Sequence, residues 1–366
     1  MMRIGFLRNF RDFDILLLLS IIVLSVFGFA ALYSVGLGKD PQNFFYFQKQ
    51  LSIGTVFFVL FFGIGLLNYR MIRNVSFLLY IGMCILLIFV LISGQTIRGT
   101  RGWFMISSFG MQPAEFAKLA LICTLARYFS SYTRQIGRFR HIIISGIIAL
   151  VPIGLVLLQP DLGSAIILFL IWFGMIMTSG IPKKYTLTLC IGIIVVSLGA
   201  WFFVLKDYQK ERVITFIHPS ADVQGSGYNV RQAMIAIGAG ELFGRGLGFG
   251  SQSHLKFLPE TQTDFIFSVV AEEMGLIGVT ILFAFWMVFF HRLIRIIKMA
   301  RDDFALYSVL GITVMFFAHV ILNIGGNLGL VPLTGVPLPF ISYGGSSLAL
   351  SLLAVGLVQS IKVYNS

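Results

Sequence analysis

Charge is scarce in this chain, and the scarcity decides its setting. Asp, Glu, Lys and Arg make up 11% of 366 residues, 57% are hydrophobic, and the mean hydropathy is +0.91. Soluble domains carry roughly 25% charged residues, so a soluble globular protein is excluded. Cysteine is scarce as well. Cys84, Cys123 and Cys190 all lie in apolar stretches without metal-like spacing, which leaves them as small core residues and excludes a disulfide framework or zinc site. His218 and His254 are too isolated for a metal site. No G-x-x-x-x-G-K-[ST] phosphate loop occurs, and there is no internal repeat, low-complexity tract or soluble domain.

What the chain has in abundance is long apolar runs. A bilayer core about 30 Å thick takes roughly 20 apolar residues per helix. Ten stretches meet that need, at about 14–34, 49–67, 75–93, 113–129, 142–159, 161–180, 186–205, 265–290, 304–325 and 342–362. Continuous runs, rather than short alternating segments, exclude an outer-membrane barrel. The expected architecture is an all-α polytopic membrane protein, one domain over residues 1–366, with one long loop at about 206–264. Gly and Pro inside several runs are tolerated where neighbouring helices re-satisfy the backbone. The first run follows Arg3, Arg8 and Arg11. At about 20 residues it exceeds the roughly 7–15 of a cleaved signal, so it reads as an uncleaved anchor.

Lys and Arg in the short loops set the orientation. Arg70, Arg73, Arg127, Arg134, Arg138, Arg140, Lys183, Lys184, Arg292, Arg295, Lys298 and Arg301 share the side of the N-terminus. That side is predicted to be cytoplasmic, and an even number of spans places both termini there. Lys39, Lys49, Arg98, Arg101 and Lys118 fall on the other side, and the long loop is exempt from the rule. The net charge of +12 then reflects anchoring against anionic headgroups, and no nucleic-acid partner is implied.

Three carboxylates share one geometry. Glu115 follows Gln112-Pro113, Asp161 follows Gln159-Pro160, and Asp264 follows Thr263 at the end of the long loop. Each stands at or beside the start of a helix entering from the outer face. Charge near lipid is expensive and usually faces a cavity or the bundle interior. Helix capping is the ordinary alternative for such acids, and Glu115 with Lys118 at i,i+3 can form a local ion pair. Arg98, Arg101, Arg212, Arg231 and Lys256 supply cations on the same face, where headgroups or water are their other destinations. Trp103 reads as an interface anchor. Between Tyr208 and Gly250 glycines recur, and Tyr228–Ile237 is predicted to form an amphipathic helix on or re-entering the membrane.

Taken in order, Arg101-Gly-Trp103, Gln112-Pro-Ala-Glu-Phe-Ala-Lys118, Gln159-Pro-Asp-Leu-Gly163, Leu258-Pro-Glu-Thr-Gln-Thr-Asp-Phe265, Ala271-Glu-Glu273 and Pro339-Phe-Ile-Ser-Tyr-Gly-Gly-Ser-Ser347 resemble the SEDS family. Thr334-Gly-Val-Pro337-Leu-Pro-Phe340 resembles its elongation (RodA-type) branch more than its division (FtsW-type) branch. Ala114 and Ala239-Gly240-Glu241 depart from the family pattern, and Glu241 adds a charge to the loop.

The resemblance implies a peptidoglycan glycosyltransferase that polymerises lipid II outside the bacterial cytoplasmic membrane during elongation. The implied partners are lipid II, undecaprenyl-linked glycan, a class B penicillin-binding protein and other elongation-complex membrane proteins. Asp264 is the expected general base, with Arg101, Lys118 and Arg212 as the candidates to bind the lipid pyrophosphate, Lys256 among the substrate-binding residues, and Glu115 and Asp161 orienting Lys118 and the arginines. A divalent cation, Mg or Mn, could share the pyrophosphate. Two alternatives stand beside this reading. A lipid II flippase needs a polar path through both leaflets, and a non-catalytic scaffold needs no convergent carboxylates.

Overall fold

The computed structural model describes residues 12–365 apart from 39–40, 98, 107–108, 133–138, 204–206, 218–225, 255–257 and 259. Arg3, Arg8, Arg11, Lys39, Arg98, Arg134, Arg138, Lys206, His218 and Lys256 lie outside the described residues, as do the side chains of Lys183, Arg212 and His254.

Among the described residues, ten long helices account for the ten apolar stretches. They are α1 (Ile15–Leu37), α2 (Phe45–Leu66), α3 (Tyr69–Ser93), α4 (Pro113–Tyr132), α5 (Phe139–Leu158), α6 (Leu162–Thr178), α7 (Lys183–Phe203), α11 (Ile266–Met299), α12 (Asp303–Asn327) and α13 (Gly345–Asn365). Seven of them are long and apolar enough to cross a membrane by length and composition. The α6 helix is a shorter apolar helix of 17 residues. The α4 helix carries Glu115, Lys118 and Arg127, polarity of which the first two are hidden by burial. Short polar caps start several helices: Asp14, Asn68 and Asp302 accept from the amides of Leu17, Arg70 and Ala305, the ordinary solution for unpaired first-turn donors.

Among the described residues the long loop holds three short helices, α8 (Asp207–Ile217), α9 (Ser226–Ala239) and α10 (Ser251–His254). The expected helix at Tyr228–Ile237 is therefore present as α9, and it packs against α11. One feature was not read from the sequence. The connection between α3 and α4 is a three-stranded antiparallel sheet, β1 (Gln95–Ile97), β2 (Thr100–Ile106) and β3 (Phe109–Met111). Its pairing runs Thr96↔Arg101 and Phe104↔Met111.

Packing sorts the helices by depth. The α13 helix is buried along most of its length between α2 and its other neighbours, whereas α3 turns Leu78, Ile85 and Ile92 outward. Exposed apolar side chains of this kind form the face that meets lipid tails. At one end of the bundle Arg292 of α11 grips Asp14 at 2.6 Å, and Gln359 of α13 accepts from Asp14 N–H through Oε1 at 2.9 Å and donates from Nε2 to the Asp14 carbonyl at 3.1 Å. Tyr69 donates to Asp302 at the start of α12. The carboxylates singled out in the sequence lie at the opposite end.

Candidate active site

The Asp264 turn is held by its apolar ends. Leu258 and Phe265 are buried with Ala233 and Ala236 of α9, and between them Thr261 and Thr263 are buried while Glu260, Gln262 and Asp264 stay partly exposed. Thr263 N–H donates to the Glu260 carbonyl at 3.0 Å, closing a turn in which Glu260 takes a positive φ of 53°. The carbonyl of Asp264 accepts from Asn327 Nδ2 at 2.8 Å and Asn323 Nδ2 at 3.2 Å, both on α12. Ser268 Oγ donates to Asn327 Oδ1 at 2.7 Å and so fixes which way that amide points. The backbone of Asp264 is clamped while its side chain stays partly exposed.

The loop between α12 and α13 forms the adjoining wall. Ser342 Oγ donates to the Thr263 carbonyl at 2.8 Å, and Tyr343 N–H donates to the Gln262 carbonyl at 2.8 Å. Gln50 of α2 reaches across, donating to the Ser342 carbonyl at 3.1 Å and accepting from Gly344 N–H at 3.2 Å. Gly335, at φ +71°, faces the carboxylate: a Cβ there would stand 3.6 Å from Asp264 Oδ2. Bare backbone therefore borders the carboxylate, and only glycine takes that φ without strain.

Glu115 and Lys118 form a buried ion pair at 2.6 Å, with side-chain exposures of 4% and 1%. Lys118 Nζ also lies 3.3 Å from His319 Nε2, and His319 Nδ1 lies 3.1 Å from the Pro337 carbonyl. The structure thus turns Lys118 inward to Glu115 and His319. Asp161 is the N-cap of α6, accepting from Ser164 N–H at 2.9 Å, and it also accepts from Gln112 Nε2 at 2.8 Å. Gln112 N–H donates to Ser346 Oγ at 2.9 Å. The starts of α4, α6 and α13 are joined through these residues.

Arg101, on β2, is exposed. Its guanidinium donates to the carbonyls of Ile92 and Gly94 at 2.8 and 3.4 Å, where α3 ends, and its own N–H donates to the Gln159 carbonyl at 3.2 Å. Asp161 and Arg101 therefore hold different partners.

The Gly-rich loop has a structural task. Gly275 adopts φ 64°, ψ −167° inside α11, and this kink frees the backbone groups around it. The loop satisfies them: Arg245 and Gly246 N–H donate to the carbonyls of Glu272 and Glu273 at 2.9 and 3.0 Å, while Leu276 and Ile277 N–H donate to those of Glu241 and Leu242 at 2.9 and 3.1 Å. Gly244, at φ +80°, approaches so closely that a Cβ would sit 2.1 Å from the Glu273 carbonyl oxygen. The Glu272 carboxylate accepts from Gln252 N–H at 2.8 Å, and Glu273 accepts from Ser34 Oγ of α1. Glu241, the departure from the family pattern, contributes its carbonyl to this junction and leaves its side chain exposed.

His319, Asn323 and Asn327 were not singled out in the sequence. Their signal was available: three polar residues at i, i+4 and i+8 in an apolar span lie on one face, and polar groups at that depth call for a partner. Among the described residues, no three His, Cys, Asp or Glu side chains group as a metal site would.

A family model described as "Cell cycle protein", covering FtsW, RodA and SpoVE, matches residues 12–366. The peptidoglycan glycosyltransferase RodA of Treponema pallidum is 30% identical over 429 residues, covering 97% of this chain and 98% of that protein. Stage V sporulation protein E of Bacillus subtilis is 35% identical over 361 residues, covering 96% and 97%. A chain from a peptidoglycan synthase complex, solved for how it coordinates polymerization and crosslinking, superimposes with a TM-score of 0.80 at 29% identity and covers 96% of this chain and 98% of that one.

Proposed function

We propose that this chain, which belongs to the FtsW, RodA and SpoVE family, is a peptidoglycan glycosyltransferase that polymerises lipid II, with Asp264 as its reacting carboxylate. The observation that carries the assignment of Asp264 is its setting: a backbone clamped by Asn323 and Asn327, a side chain left partly open, and a glycine wall beside it. Clamping the backbone in this way pre-positions the carboxylate for reaction.

In the reaction, Asp264 accepts the proton of the 4-hydroxyl of the acceptor GlcNAc. The freed oxygen attacks the anomeric carbon of the growing strand's terminal MurNAc. The bond to the lipid pyrophosphate breaks, its electron pair leaves with the pyrophosphate, and inversion yields a β-1,4 linkage. General-base help of this kind contributes roughly 10²–10⁴-fold. Of the cations expected to meet the pyrophosphate, Arg101 is exposed on β2, and Arg212 and Lys256 are assigned the same task from the sequence. Lys118, enclosed by Glu115 and His319, supports the site from inside. A divalent cation, if one binds, would be held by Asp264 together with the substrate's phosphates and water, and would offset the charge that develops on the leaving pyrophosphate.

The site is assigned to the outer face of the bacterial cytoplasmic membrane. The bias of Lys and Arg supports this, and so does the chemistry, since a donor beyond that membrane must be lipid-borne. A class B penicillin-binding protein that crosslinks the strand is the partner, a reading supported by the fold's likeness to a chain of a peptidoglycan synthase complex. The elongation role rests on Thr334–Phe340, and likeness to a sporulation protein supports septal or spore-wall synthesis as the second reading. Complementation of a rod-shape-deficient strain separates the two.

The test is purified protein with lipid II, with and without its penicillin-binding partner, comparing wild type with Asp264→Asn. Polymer from the wild type and none from the variant is expected. Undiminished polymer from Asp264→Asn would remove this residue from catalysis, and translocation without polymer in the wild type would favour a flippase.

A further inference from the structure

We propose that His319 is a positioning residue for polymerisation: a neutral imidazole protonated on Nδ1, tying the buried Glu115–Lys118 pair to the loop beside Asp264. This rests on the reading of Asp264 as the reacting carboxylate.

The ring's state follows from its partners. Nδ1 lies 3.1 Å from the Pro337 carbonyl, which can only accept, so Nδ1 carries a proton. Nε2 lies 3.3 Å from Lys118 Nζ, and an ammonium can only donate, so Nε2 offers its lone pair. A second proton there would point at a positive charge. The ring is 2% exposed, so water does not replace either bond.

The consequence lies one step further along the loop. Pro337 has no N–H, so its carbonyl is the handle by which this stretch of backbone is gripped. The preceding carbonyl, of Val336, accepts from Asn323 Nδ2 at 2.8 Å, and the same amide reaches the Asp264 carbonyl at 3.2 Å. Gly335, next in line, faces Asp264 Oδ2. One stripe of α12 therefore holds two consecutive loop carbonyls and the turn of the reacting residue, and His319 is the member that connects them to α4. Lys118 is 1% exposed and already bound to Glu115 and His319. Its influence on the reaction passes through this ring.

Three variants separate the bonds. His319→Asn keeps an amide donor near Nδ1 for Pro337, His319→Gln reaches towards Lys118 but leaves Pro337, and His319→Leu abandons both. In full-length protein with its penicillin-binding partner, kcat for lipid II polymerisation is expected to fall about 100-fold in His319→Leu and His319→Gln, the scale of a misplaced reacting group. In His319→Asn it should fall no more than about tenfold. KM should stay within about threefold throughout, the pattern of lost transition-state positioning rather than lost binding. Hydrogen exchange at Gly335, Val336 and Leu338 should quicken in the Leu and Gln variants and stay near wild type in the Asn variant. Wild-type kcat in His319→Leu, or equal damage in Asn and Leu variants of matched thermal stability, would overturn the proposal. Wild-type polymer with no ordering among the variants sinks this inference alone, whereas no polymer from the wild type sinks the functional reading beneath it.

Discussion

Both ends of the helix bundle bury charge, and they complete it to different degrees. At the end away from Asp264, every oxygen of the Asp14 carboxylate is engaged. Oδ1 accepts from Leu17 N–H and Arg292 Nε at 3.1 and 3.0 Å, and Oδ2 accepts from Arg292 Nε and Nη2 at 2.9 and 2.6 Å. At the site end, Glu115 Oε1 holds Lys118, but Glu115 Oε2 is buried without a hydrogen-bond partner among the described residues, as is Asn323 Oδ1. A buried polar atom left unmatched costs roughly 1–3 kcal/mol. Saturation marks a clamp between helices; incompleteness marks the place where local strain or an incoming group is tolerated for function.

The contrast can be broken by substitution. Asp264→Asn should lower polymerisation by roughly 10²–10⁴-fold with the thermal unfolding curve unmoved. Arg292→Leu should do the reverse, leaving Asp14 buried and unpaired at a cost of about 3–5 kcal/mol, read as a lower unfolding temperature with normal turnover per folded molecule. Lost turnover at full stability in Arg292→Leu would erase the distinction between the ends. Gly244→Ala forces a Cβ to within 2.1 Å of the Glu273 carbonyl at a positive φ and should cost about 1–3 kcal/mol, seen as faster proteolysis of the long loop. The smallest effect sharpens the comparison most. Asp161→Ala should lose about 0.5–2 kcal/mol as a missing cap, and Asp161→Ser should restore it. Activity that stays low in Asp161→Ser at restored stability would give this carboxylate a task beyond the cap and its bond to Gln112.

Much of the fold was legible because hydropathy depends on composition over a window, and each of the ten apolar runs became a helix. The α9 helix was legible for the same reason, through its alternating faces. The strands at 95–111 were not: pairing of such short strands is decided by register with one another, which no single segment encodes. The kink at Gly275 was hidden because glycine is common in membrane helices, and what stabilises the break is a loop some 30 residues away in sequence. At the site, Asp264, Glu115 and Lys118 were found as residues, but the inward turn of Lys118 was not. A lysine near the start of a span reads as an outward cation, and its burial is offset by the Glu115 carboxylate at 2.6 Å together with His319 arriving from α12.

From the sequence alone came a chain too apolar for water, ten membrane helices, a shared face for Asp264, Glu115, Asp161 and Lys118, and motifs that resemble one family. These depend on residue type and spacing, which survive without knowledge of the fold. The tertiary structure decided which of those charges meet. It closed Lys118 between Glu115 and His319, spent Asp161 on a cap and Gln112, and left the Asp264 side chain beside a glycine while clamping its carbonyl. Ion pairs and hydrogen bonds act over a few ångströms between segments far apart in sequence, so only packing could assign them.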